Sequence, residues 1–131
     1  MFKINQYSSM PIYQQLIQQI KEAVLKGILQ PGDKLPSVRE LSVHLTINPN
    51  TIQKSYQELE RQKVIETLRG KGTFISTHYK PREDDERLNL LKENLRNILV
   101  DACYLGLNKS KILEIMTQLM EELKIKDGEN S

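Results

Sequence analysis

Between Thr46 and Glu60 the chain reads TINPNTIQKSYQELE, and the side chains here with most to offer a ligand are neutral. Asn and Gln carry a donor and an acceptor on one planar group, the pair that bonds the major-groove edge of adenine bidentately. Their spacing decides where they point. Asn48 is a good N-cap and Pro49 suits a first helical turn, so a helix starts there. Ile52, Tyr56 and Leu59 recur at i, i+4 and i+7 as an inward stripe, with Ile47 and Ile52 placed as a hydrophobic staple. Asn50, Gln53, Lys54 and Gln57 are left facing outward, with Asn48 and Thr51 at the helix start. No carboxylate falls between Asn48 and Gln57; Glu58 and Glu60 come only at the far end. A merely solvated helix more commonly shows Glu and Lys on this side, yet the polar face alone does not set this one apart from an ordinary amphipathic helix.

The flanking residues shift the balance. Arg39 falls in the first turn of a helix opened by SVRE, a capping box in which Ser37 and Glu40 satisfy each other's backbone N–H groups. Ser37 and Thr51 add hydroxyls able to bond bases or phosphates. Arg69, Gly70 and Lys71 form the tip of a β-hairpin read from Val64–Leu68 and Thr73–Ser76, where they could enter a minor groove or neutralise phosphates. Taken singly, Arg39 is an ordinary ion-pairing residue and Lys71 an ordinary turn lysine. Three separate elements carrying such groups are harder to dismiss.

The elements that would hold these groups follow in order. Ile12, Leu16, Ile20 and Val24 give a first helix after Pro11, which Gly27 can end. LQPGDKLPS reads as a loop. Val38, Leu41 and Leu45 form the apolar side of the second, short helix, and LTINPN is a tight corner into the third. Three helices and then a two-stranded hairpin is the order of a winged helix-turn-helix, whose third helix enters the major groove. The expected fold is therefore mainly α with a small β-hairpin, a winged helix-turn-helix over residues 1–78 followed by a two-helix tail over 79–131.

The tail differs in charge and in pattern. Residues 1–80 hold 11 Lys and Arg against 6 Asp and Glu, and residues 81–131 hold 8 against 11. A basic first part suits an anionic surface such as double-stranded DNA. The tail instead carries a heptad-like stripe of Leu88, Leu91, Leu95, Ile98, Ala102 and Leu105, then, after Gly106 and an Asn108 cap, a second of Ile112, Ile115, Met116, Leu119 and Leu123. Two helices make a poor core by themselves. Pairing with the same tail of a second chain would bury both stripes, which makes this the expected dimer interface. About fifty residues cannot enclose a roomy pocket, which leaves a site between subunits open to an unknown small-molecule effector.

Enzymatic readings find little purchase. His44 and His78 have no companions at ligand spacing, so no metal is expected. The acids of REDDE, Arg82 to Glu86, stand at a helix start, where the dipole favours them. RGKG is too short for a phosphate-binding loop. No cofactor is expected. One cysteine, Cys103, no apolar run of ~20 residues and no signal-peptide pattern point to a cytoplasmic protein without a membrane partner.

At the same residues the sequence resembles the GntR family of bacterial transcription regulators. The resemblance rests on PIYQQLIQQIKEAVLKGILQPGDKLPSVRELS, INPNTIQKSYQELE and VIETLRGKGTFIS, about residues 10–76, and the short tail resembles the YtrA-type subfamily. It implies a homodimer that binds a palindromic operator, usually as a repressor. It also implies that Arg39, Asn48, Asn50, Thr51, Gln53 and the wing residues Arg69, Gly70 and Lys71 contact DNA. Two departures matter. Relatives often have a glycine after the third helix, where this chain has Gln62 and Lys63. They also often place arginine in the third helix where this chain has Pro49 or Gln53, so guanine readout does not carry over. The competing reading is a winged-helix adaptor that docks proteins without specific DNA binding; salt-sensitive binding to duplex DNA separates the two.

Overall fold

The computed structural model describes residues 2–79 and 84–128. Its elements are α1 (Ile12–Leu25), β1 (Lys34–Leu35), α2 (Val38–Leu45), α3 (Pro49–Arg61), β2 (Ile65–Leu68), β3 (Gly72–Ile75), α4 (Asp85–Tyr104) and α5 (Lys109–Glu122). They fall into two compact units, Met1–Tyr79 and Lys80–Ser131. The break expected at Pro81, and Arg82 and Glu83 of the acidic run, lie outside the described residues.

In the first unit α3 is the central helix, packed on α1 and α2 and followed directly by β2. Its inward stripe is Ile52, Tyr56 and Leu59, and Ile52 and Leu59 are wholly buried with Leu16 and Ile20 of α1. Ser55 shares that face because a small residue lets the helices approach. Its buried hydroxyl donates to the Tyr13 carbonyl at 2.9 Å and to Thr51 at 3.2 Å, tying α3 to α1. Tyr56 reaches the other way, its hydroxyl donating to the Pro36 carbonyl at 2.7 Å, just ahead of α2. Burial, then the nearby Glu40 charge, push its phenol above the ordinary tyrosine range, so it remains a donor. Tyr56→Phe keeps the packing and loses this bond. It is expected to cost about 1 kcal/mol, seen as a lower urea midpoint at unchanged slope.

The sheet has one strand more than the sequence suggested. Lys34 and Leu35, read as loop, pair antiparallel with Phe74 and Thr73, giving the order β1-β3-β2. The pairing continues past β1, with Gly32 N–H donating to the Ile75 carbonyl and Ile75 N–H to that of Asp33, both at 2.8 Å. Leu35, Ile65 and Ile75 point inward and are buried. By alternation Lys34, Gly72 and Phe74 lie on the opposite face.

Ahead of α1, an extended segment is held by two glutamines one turn apart. Gln15 accepts from the Asn5 N–H at 2.9 Å and donates to its carbonyl at 2.9 Å, while Gln19 pairs in the same two-way manner with Lys3. Phe2 is thereby brought into the core.

Candidate nucleic-acid interface

The groups singled out in the sequence sit on three elements whose geometry is locally fixed. At the start of α2 the capping box is complete: Glu40 N–H donates to Ser37 Oγ at 3.0 Å, and Ser37 N–H donates to Glu40 Oε1 at 2.8 Å. That backbone bond, then the Ser37 hydroxyl and more weakly the charge of Lys34, hold the Glu40 carboxyl below its usual range. Arg39 follows in the first turn, exposed. With Glu40 turned back onto the cap, the arginine next to it is the group this helix start presents.

The corner between α2 and α3 closes on Thr46, which takes a left-handed conformation at φ 55°. Ile47 N–H donates to the Ser42 carbonyl at 3.1 Å, and the buried Ser42 hydroxyl donates to the Ile47 carbonyl at 2.6 Å. This reciprocal pair fixes the step from one helix to the next. Asn48 then caps α3, accepting from Asn50 N–H at 2.8 Å. Its side-chain oxygen is therefore engaged in the cap. Asn50 and Gln53 are exposed and Thr51 is half-buried.

Lys54 and Gln57 stand on the flank of α3 that faces α1. They line a groove of about 570 Å³ with Tyr13, Gln14 and Gln18. The Lys54 ammonium lies 3.8 Å from the centre of the Tyr13 ring, a cation–π contact that tethers its charge to α1. At the far end of α3, Glu58 accepts from Arg61 Nε at 3.0 Å and from Gln62 Nε2 at 2.6 Å. These bonds hold its carboxyl down to about 2. The one acid closest to the polar face is thus matched within its own helix. Lys63, at φ 65°, makes the left-handed turn that follows α3.

The wing tip carries Arg69, Gly70 and Lys71, with Lys71 N–H closing the turn onto the Leu68 carbonyl at 2.9 Å. Arg69 and Lys71 are exposed. Sequence reasoning missed what lies beside them. Lys34 reaches diagonally across β3, so that a Cβ on Gly72 would stand 2.9 Å from its Cε. A two-residue strand is too short to leave a periodic signal.

In the second unit no residue of α4 or α5 is buried. Leu95, Ile98, Ala102 and Leu105 of the first stripe come together with Ile112, Ile115, Met116, Leu119 and Leu123 of the second around a groove of about 580 Å³. Asp101 is its one charged neighbour. Leu88 and Leu91, earlier on α4, stand outside this groove and are exposed. Among the described residues no His, Cys, Asp and Glu cluster could hold a metal ion, and no helix is long and apolar enough to cross a membrane.

Known proteins share this arrangement. The profile of the bacterial regulatory proteins of the gntR family matches residues 12–75. The HTH-type transcriptional repressor YtrA of Bacillus subtilis is 48% identical over 124 residues, covering 95% of each chain. The chain belongs to the GntR family. As a GntR protein it is a DNA-binding transcription regulator and not an enzyme. Two solved structures extend the likeness to the tail. One, described as a transcriptional antiterminator from Listeria monocytogenes, is 40% identical with a TM-score of 0.86, covering all of this chain and 98% of that one. The other, YtrA from Sulfolobus acidocaldarius, a GntR-family transcription factor, is 33% identical with a TM-score of 0.61, over 76% of this chain and 97% of that one.

Proposed function

We propose that this GntR regulator is a homodimeric repressor that binds a palindromic operator. In this reading α3 lies in the major groove, Ser37 and Arg39 at the start of α2 approach the adjoining backbone or base edges, and Arg69, Gly70 and Lys71 meet the neighbouring phosphates or minor groove. The observation that carries it is the outward side of α3. Asn50, Thr51 and Gln53 are neutral hydrogen-bonding groups, Lys54 is drawn towards Tyr13, and the exposed Arg39, Arg69 and Lys71, which form no ion pair among the described residues, stand on the elements either side. Charge at the flanks supplies affinity, and amides at the centre discriminate bases. Repression is supported by the similarity to the Bacillus subtilis repressor over nearly the full length. Dimerisation is supported by apolar stripes on α4 and α5 of which no residue is buried within one chain. A small effector would bind where two such tails meet.

Gel-shift titration on the duplex upstream of the protein's own operon tests the reading. We expect preference for that duplex over a scrambled one, two half-sites about 10 bp apart centre to centre or a close multiple, and steep weakening with salt. Equal affinity for both duplexes would sink the proposal.

A further inference from the structure

We propose that Lys34 is a further phosphate-binding residue of the DNA interface, set between the wing and the start of α2 by the third strand. The inference rests on the reading that these two elements face the duplex. Two independent features place it there. Pairing of Lys34 with Phe74 puts its side chain on the outward face of the sheet, and the stem then leans along the strand to Gly72. Gly72 has φ 123° and no Cβ, so it provides the space in which the stem lies. On the other side Lys34 stands three residues ahead of the Ser37 cap of α2, and its charge adds weakly to the lowering of the Glu40 carboxyl. Among the described residues Lys34 forms no ion pair.

The chemistry favours a phosphate over a base. An ammonium on a flexible stem is a compact point charge, without the planar fork that reads guanine. Five residues ahead of Arg39 and beside Gly72, the neighbour of Lys71, it would continue one line of positive charge from helix start to wing. Arg39, Lys71 and Arg69 were visible as polar residues in recognisable motifs, whereas Lys34 joins them only because β1 forms.

Lys34→Met keeps the stem over Gly72 and removes the charge, Lys34→Gln is a second neutral variant, and Lys34→Arg restores the charge. Each is titrated against the operator duplex and a random duplex from about 50 to 200 mM salt, with a thermal melt as control. Both neutral variants are expected to weaken binding to the two duplexes alike and to reduce the slope of log affinity against log salt by about 0.9, with Lys34→Arg close to wild type. An unchanged slope overturns the inference. In that case, a lowered melting temperature would assign Lys34 to supporting the Glu40 cap. Random duplex reports on Lys34 even if no operator preference is found, so the two proposals can fail separately.

Discussion

Leu95→Glu combined with Met116→Glu is expected to split the protein into monomers and to lower operator affinity by at least ~100-fold. Both side chains line the apolar groove between α4 and α5, and both are exposed in the single chain. Carboxylates there cost the isolated chain little, because neither position belongs to the buried core. Burying them against the same face of a second copy would leave charges without partners, which association cannot accommodate. A monomer has one recognition helix and so loses the second contact, which in a dimer binds at the high effective concentration set by the first. Sedimentation velocity reads the subunit count and gel shift the affinity. The first unit, Met1–Tyr79, should melt at its original temperature. A double variant that remains dimeric would place the interface elsewhere; one that is monomeric yet binds its operator as before would remove dimerisation from the mechanism.

Gln53→Ala should flatten base preference at a single position in each half-site, by about 1–3 kcal/mol, or 5- to 150-fold. Gln53 is exposed on α3, four residues before Gln57 and three after Asn50, and carries no formal charge. Its removal deletes a bidentate amide and leaves the cations of α2 and the wing in place. Competition with duplexes changed one base pair at a time would therefore show one column of the half-site losing its preference. Affinity for random DNA and the salt slope should stay near their original values. If all columns weaken together, Gln53 serves only to position the helix; if none changes, the readout belongs to its neighbours.

Much of this geometry was legible residue by residue. Ser37 with Glu40, Asn48 with Pro49, and the inward Ile52, Tyr56 and Leu59 are local signals, and helix starts and stripes depend on neighbours within a turn. The need for Gln62 or Lys63 to replace a glycine was also readable, and the structure gives the left-handed turn to Lys63. Three features were not legible. β1 is two residues long and exists only because β3 lies beside it, so no periodicity announces it. The placing of Lys54 depends on Tyr13, some forty positions earlier. The anchoring of the N-terminal segment depends on Gln15 and Gln19, which in sequence are simply polar residues of an amphipathic helix. In each case the missing information is a long-range pairing rather than a local preference.

The neutral outer side of α3 has a consequence for how the protein searches a genome. In the proposed interface, random DNA would be held by cations at the flanks, while the amides keep their water. Moving onto the operator would then add hydrogen bonds from uncharged groups and release few further counterions. The ratio of operator to random affinity should then vary little with ionic strength, even as both affinities fall. A shift in cellular salt would change how long each molecule stays on DNA, but hardly its choice of where to stop.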